Sequence, residues 1–268
     1  MCIDCGCGDA ANIHDHTHGH THDHDHGHSH RGPDGKEFRH THDNDQSEHE
    51  HGRTIKVEQD VLSKNNTLAI ENRQWLDMHH ITALNLMSSP GAGKTTLLQK
   101  TLERLPKDCT VAVLVGDQET DLDAQKLQGR GSMVKQINTY RSCHLDAAMI
   151  SRELEAYVDA HINLLLIENI GNLVCPASFD LGEHSRVAML SVTEGEDKPV
   201  KYPVLFNGAD VVLITKTDLI PHLDWDMEQC RSYIRKSGSR ARIIELSART
   251  GEGMDAWIDY LQTMKRHD

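Results

Sequence analysis

Three cysteines stand within the first seven residues, Cys2, Cys5 and Cys7 in the run Met-Cys-Ile-Asp-Cys-Gly-Cys-Gly. Thirteen histidines follow between His14 and His51, most of them at every second position. Thiolate and imidazole are the ligands that soft and borderline divalent metals prefer. The Cys2-x-x-Cys5 loop can put two sulfurs on one ion, Cys7 is near enough to add a third, and Gly6 lets the backbone curl. The alternative for the first two is a redox pair, but such a pair normally sits at a helix start inside a βαβ unit. The histidines are interleaved with Asp, Gly, Thr and Ser, so residues 8–52 have almost no apolar side chains to bury. They are expected to be disordered without metal and to bind several ions loosely. Residues 1–7 are expected to form a tighter metal-binding motif.

A second set of soft ligands lies far along the chain. Cys143-His144 is read as the start of a helix, and Cys175 stands in Asn172-Leu173-Val174-Cys175-Pro176. Three such ligands leave a tetrahedral ion one open position, or let two subunits share it. Read from chemistry alone, Cys143 and Cys175 could equally be ordinary small buried residues. Cys109 and Cys230 lack neighbouring ligands and read as structural, and His184 and His222 show no partner signal.

Other residues call for phosphate. Ser88-Ser89-Pro90-Gly91-Ala92-Gly93-Lys94-Thr95-Thr96 follows a strand pattern and opens a helical one. A strand, Gly-rich loop and helix is the setting of a P-loop, whose backbone amides cradle phosphate oxygens. Gly91, Ala92, Gly93 and Thr96 belong to that cradle. Lys94 is expected to reach the β- and γ-phosphates, and the Thr95 hydroxyl to ligate Mg²⁺. Ser88 departs from the glycine usual at the first position. Further on, Leu164-Leu165-Leu166-Ile167 ends in Glu168, with Gly171 three residues later. Glu168 can hold Mg²⁺ through water, and the Gly171 amide can sense a γ-phosphate. Asp117 ends the strand after the P-loop helix, where a first switch segment would meet Mg²⁺; a solvated acidic loop is the plainer reading.

Val211-Val212-Leu213-Ile214 leads into Thr215-Lys216-Thr217-Asp218. The Asp218 carboxylate can accept both guanine N–H groups while the Lys216 stem covers the base, which favours GTP over ATP. The usual first residue is Asn; Thr215 puts a contact to the P-loop and the base edge in question. Ser247-Ala248-Arg249 resembles the loop whose backbone N–H, at Ala248, meets guanine O6.

These residues need a scaffold that gathers strand ends. Strands are predicted at 81–87, 110–115, 133–137, 163–167, 187–192, 211–214 and 242–246. Helices are predicted from the P-loop through Leu105 and at 121–128, 145–160, 226–236 and 254–265, with one more ending at His79-His80 ahead of the first strand. Alternation of the two, with continuous apolar strands, implies an α/β fold: a mostly parallel sheet covered by helices on both faces. Residues 53–268 suffice for one such domain.

Composition narrows the partners. The formal charge is −13, from 28 Lys plus Arg against 41 Asp plus Glu, which argues against nucleic acid. No apolar run approaches the ~20 residues of a membrane-spanning helix. There is no signal-peptide pattern, and seven cysteines suit thiol ligation in a reducing compartment better than a disulfide framework. A cytoplasmic location is expected.

The Cys2/Cys5/Cys7 run, the His-rich insert, Ser88–Thr96, Glu168–Cys175, Cys143-His144 and Thr193-Glu194-Gly195-Glu196-Asp197-Lys198 together resemble the hydrogenase nickel-incorporation GTPases, the HypB family, over nearly the whole chain. The resemblance implies a P-loop GTPase domain of the SIMIBI class that forms a homodimer with GTP bound. It implies delivery of Ni²⁺ to the large subunit of [NiFe]-hydrogenase, with HypA as partner. It also implies that Cys143, His144 and Cys175 bind Ni²⁺ or Zn²⁺ at the dimer interface. Hydrolysis of GTP to GDP is expected to be slow, since no side chain stands out as an activator of water. Rival readings are the sister urease nickel GTPase, a nickel storage protein and a zinc-delivery GTPase. The N-terminal thiol run and the Cys143-His144 pair argue against the first.

Overall fold

The computed structural model describes residues 28–31, 37–40, 45–117, 122–130, 132–139 and 142–265. Cys2, Cys5 and Cys7 lie outside the described residues. Of the His-rich stretch, β1 (His28–Arg31) and β2 (Glu37–His40) pair antiparallel, and residues 45–52 begin the long helix α1 (Asp45–Met78).

The core is a seven-stranded sheet made of β3 (Thr82–Ser88), β4 (Val111–Asp117), β5 (Ser132–Asn138), β6 (Leu164–Glu168), β7 (Ser185–Ser191), β8 (Val211–Thr215) and β9 (Arg242–Leu246). Its spatial order is β5-β4-β6-β3-β7-β8-β9, and every pairing is parallel. All seven predicted strands are present, and the sheet is wholly parallel. Buried parallel strands are apolar on both faces, which is why such runs are conspicuous in sequence.

Alternate residues of each strand feed opposite layers. Leu84, Leu86, Val113, Leu166, Val187 and Leu213 meet α2 (Lys94–Arg104), α3 (Leu122–Leu127) and α9 (Met254–Lys265) on one face. There Trp257 is fully buried and its indole N–H donates to Thr101 Oγ1 at 2.9 Å. Ala83, Leu114, Leu165 and Ile167 meet α1 and α4 (Ala147–Leu154) on the other face. Beyond them Ala188, Leu190, Val212 and Ile214 pack on α7 (Pro203–Asn207) and α8 (Met227–Lys236).

Most boundaries lie within two residues of the predicted ones; the largest difference is around α4. The predicted helix 145–160 splits into α4 and a 3-10 segment, Glu155–Ala160. Cys143-His144 therefore does not begin a helix. The helix starts after Asp146, whose Oδ1 accepts from Met149 N at 2.8 Å, so the two metal-ligand candidates lie in the loop ahead of it. Three short helices, α5 (Cys175–Ser178), α6 (Lys198–Lys201) and α7, were not predicted; four or five residues are too few to show a period.

Candidate nucleotide and metal site

Four strand ends converge on one edge of the sheet: Ser88 of β3, Glu168 of β6, Thr215 of β8 and Leu246 of β9. In open parallel sheets this carboxyl edge is where ligands bind. After β3 the chain turns through Pro90, Gly91, Ala92 and Gly93 into α2. Gly93 holds φ 101° at the helix N-cap, a conformation costly for a side-chain-bearing residue, and no side chain caps the helix. The first N–H groups of α2 are thus left for a ligand, as phosphate binding requires.

Lys94 is only 8% exposed, and its Nζ donates to Ser88 Oγ at 2.8 Å. Burial pulls its pKa down, while Glu168, Asp123 and Glu194 oppose that shift. A desolvated ammonium of this kind gains most from a phosphate. The serine that departs from the usual loop pattern is the residue that holds the lysine.

Thr95 Oγ1 donates to Glu168 Oε1 at 2.7 Å. Glu168 is 4% exposed, and its other oxygen, Oε2, is buried with no hydrogen-bond partner. Burial raises its pKa to about 7, against smaller opposing effects of Thr95 and Lys94. An orphaned carboxylate oxygen beside a threonine hydroxyl suits Mg²⁺, a hard cation that prefers oxygen. Asp117 ends β4, two residues past Val115, which is in register with Glu168. The linkage has a definite sign: Mg²⁺ needs the charged carboxylate, so binding must expel the proton that burial favours. Mg²⁺-dependent GTP affinity is expected to rise as pH rises through about 7. Glu168→Gln should flatten that rise; an unchanged slope in calorimetric titrations of the variant would refute the assignment.

Gly171 lies against the P-loop, since a Cβ there would come within 2.8 Å of Pro90 Cα. Any side chain would push the two loops apart, so glycine here lets the Gly171 backbone lie against Pro90.

On the far side of the loop, Ala92, Gly93, Thr96, Thr215, Lys216, Asp218, Ser247 and Ala248 help line a cavity of about 190 Å³. Asp218 Oδ1 accepts from Ser247 Oγ at 2.6 Å, which fixes the carboxylate. Lys216 sits at φ 60°, and its Nζ donates to Gly91 O at 2.7 Å. Thr215 Oγ1 donates to Ala92 O at 2.8 Å. The tie to the P-loop that Thr215 put in question is therefore made by its hydroxyl.

Cys143, His144 and Cys175 come together, with one ligand atom from each lying within 4.8 Å of the others. Among the described residues they form the one such His/Cys/Asp/Glu group. His144 stacks on Phe179, ring centroids 3.9 Å apart, and burial lowers its pKa, which favours the neutral, ligating form. Cys175 is 2% exposed and opens α5.

A family model for the nucleotide-binding domain of CobW/HypB/UreG matches residues 82–245. A hydrogenase maturation factor HypB from Azotobacter chroococcum is 50% identical over 213 residues, which is 80% of this chain and 70% of that protein. Its counterpart from Escherichia coli K12 is 49% identical, covering 80% and 73%. The chain belongs to the HypB family. Among solved structures, HypB from Helicobacter pylori, crystallised in complex with nickel, superposes with a TM-score of 0.72 at 36% identity, covering 76% of this chain and 95% of that one. HypB from Archaeoglobus fulgidus gives 0.72 at 39% identity, covering 76% and 100%.

Within this HypB chain several residues make contacts to which the sequence assigned no role. Asn169 Oδ1 accepts from Leu145 N at 3.2 Å and Ile170 N at 2.9 Å, and its Nδ2 donates to Asn85 Oδ1 at 3.2 Å. It thus joins the residue after Glu168 to the residue after His144. The available signal was polarity in the wrong place: Asn85 interrupts the apolar run of β3, and a buried amide there needs partners. Glu194 accepts from the P-loop hydroxyl of Ser89 and from Ser191 N, the latter at 3.1 Å. His184, read as lacking a partner, has two. Its Nδ1 accepts from Ala83 N at 3.0 Å, which leaves Nε2–H to donate to Asp77 at 2.8 Å. Cys109 and Cys230 are buried, and burial pushes the Cys230 thiol up to about 12, far from reactive thiolate. Among the described residues no helix is long and apolar enough to cross a membrane.

Proposed function

We propose that this chain is a GTP-dependent nickel metallochaperone of hydrogenase maturation, and that nucleotide state governs metal held by Cys143, His144 and Cys175. The observation that carries this reading is the short path between the two sites. Glu168, suited to Mg²⁺, is one residue from Asn169, which anchors the backbone N–H next to His144. A shift of β6 and its loop on GTP binding would therefore reach the metal ligands. Cys175 follows Gly171, which touches the P-loop, so the second arm of the cluster has its own link.

In the reaction, water attacks the γ-phosphorus, the bond to the bridging oxygen breaks, and GDP and phosphate leave. Lys94 and the loop amides stabilise the charge that builds on the phosphates. Thr95 and Glu168 would hold Mg²⁺, which would supply further neutralisation of phosphate charge there. Hydrolysis is slow, as befits a switch. The cluster takes Ni²⁺ as cargo, and Zn²⁺ suits the same ligands. Three ligands leave room for a fourth from a second copy, which fits a homodimer formed with GTP. HypA and the hydrogenase large subunit are the corresponding donor or acceptor partners. Cys2, Cys5 and Cys7 serve as a tighter site and the histidines as a reservoir, in the cytoplasm.

Nickel titrations of the full chain with GDP and with a non-hydrolysable GTP analogue test the coupling. A coupling of about 1–3 kcal/mol, roughly 5–150-fold in affinity, is typical of linked sites. Wild type should show such a difference at the Cys175-dependent site, and Asn169→Ala should reduce it. Equal affinities with both nucleotides in wild type would sink the reading.

A further inference from the structure

Helix α1 supplies no ligand to the Cys143/His144/Cys175 cluster, yet it grips both segments that do. Asn72 is 2% exposed, and its Nδ2 donates to Ala147 O at 2.8 Å and to Leu181 O at 3.0 Å. Ala147 opens α4, three residues after His144, and Leu181 lies six residues after Cys175. Two turns earlier, Asn65 makes the same bridge. Its Oδ1 accepts from Ala147 N at 2.9 Å, and its Nδ2 donates to Asp180 O at 2.8 Å. Arg73 adds a fork to the Asp180 carboxylate, at 2.8 and 3.0 Å, and reaches Glu183 O. There is no slack between helix and segment, because a Cβ on Gly182 would stand 2.6 Å from Asn72 Cβ.

Adhesion of the helix does not call for these amides. Among the described side chains of α1, residues 59–78, the buried ones are Asn65, Ala69, Asn72 and Leu76, so two of these four inward positions are polar. Asparagine is a poor helix former, and a buried amide costs free energy unless its bonds are made. What an amide offers is two N–H donors and an acceptor in one rigid plane; Asn72 spans the two backbones with its donors, Asn65 with one donor and its acceptor, and so each sets their separation.

We propose that Asn65 and Asn72 are positioning residues for the metal cluster: α1 ties the Cys143/His144 segment to the Cys175 segment, and so sets the spacing of the three ligands and their affinity for divalent metal. The proposal rests on the reading of this cluster as a metal site. It gives α1, the helix that leads out of the His-rich stretch, a direct hold on both arms of the domain's own site.

The test uses the full chain with Cys2, Cys5 and Cys7 changed to serine, so that thiolate-to-nickel absorption reports on the domain cluster and not on the N-terminus or the imidazole tail. The probe is Ni²⁺ alone. Asn72→Asp keeps the size of the side chain but turns acceptor oxygens toward two carbonyls. Asn65→Asp keeps the acceptor for Ala147 N and loses only the donor to Asp180 O, so it releases the Cys175 arm alone. Each is expected to weaken nickel binding by roughly 10–100-fold, as loss of outer-sphere partners does. GTP affinity should stay within about twofold, and Asn65→Asp should add nothing further in a Cys175→Ser background, as expected of two changes acting through one interaction. The proposal is overturned by unchanged nickel affinity in folded Asn72→Asp, by parallel losses of nickel and GTP affinity, or by additive losses in the Cys175→Ser background. Should Asn72→Asp not fold, Asn65→Asp decides on the same criteria. If the parent chain shows no thiolate–nickel band and Cys175→Ser changes nothing, the metal reading itself falls, and this proposal with it.

Discussion

Lys94→Ala is expected to slow GTP turnover by roughly 10²–10³-fold, the range seen when one preorganised charge-stabilising donor is removed. The reason is placement. The ammonium is buried at the end of the phosphate loop, its Nζ is held 2.8 Å from Ser88 Oγ, and its charge is already costly to keep there. A phosphate relieves that cost, and the attraction grows as charge builds in the transition state in surroundings of low polarity. Alanine leaves the loop backbone intact, so some nucleotide binding should persist. Nickel affinity of the Cys143/His144/Cys175 cluster should remain within about twofold in the nucleotide-free variant, because the sites share no ligand. Steady-state phosphate release checks the first expectation. Wild-type turnover in this variant would overturn the assignment of Ser88–Thr96 as the phosphate loop.

Cys175→Ala is expected to weaken nickel binding at the domain site more than outer-sphere changes do, by ~100-fold or more. The ligand atoms of the cluster lie within 4.8 Å of one another, so one soft ion can bridge all three, and losing one leaves an adjacent pair that cannot close around it. Cys175 is 2% exposed, so alanine leaves a cavity, but one of a single sulfur atom, and the fold should tolerate it. The comparison is best made with Cys2, Cys5 and Cys7 replaced, followed by competition with a chelator of known strength. Retention of the nickel–thiolate spectrum at full intensity would show that Cys175 is not a ligand.

Much of this architecture was legible in the chain. β6 shows why: Leu164 to Ile167 are apolar because both faces of a central parallel strand are covered, and Glu168 breaks the run where the strand meets its ligand edge. The same logic located the inner strands; the edge strand β5, Ser132–Asn138, is mixed in polarity and covered on fewer sides. The P-loop was legible because its glycines, lysine and threonine must be contiguous, as backbone amides and a helix start act together only over a few residues. Short elements escaped. α5 spans four residues, Cys175–Ser178, and no periodicity can appear over one turn. The start of α4 was read two residues early, because an apolar pattern through Leu145 could not reveal that Asp146 caps the helix from outside.

The candidate sites divide in the same way. By itself the sequence determined which candidate groups are present: a phosphate-loop pattern at Ser88–Thr96, an acid at Glu168, a carboxylate at Asp218 proposed to meet a base, and soft donors at Cys143, His144 and Cys175. Those are properties of residue type and local spacing. Only the tertiary structure decided that Cys143-His144 and Cys175 meet, since they belong to loops after different strands. It alone assigned Thr215 to the P-loop, and Asn65, Asn72 and Asn169 to the joints between the sites. The physical reason is that a hydrogen bond between segments a hundred residues apart leaves no local period in the chain. A buried amide reads in sequence only as a polar residue out of place, and its partners exist only once the layers have packed.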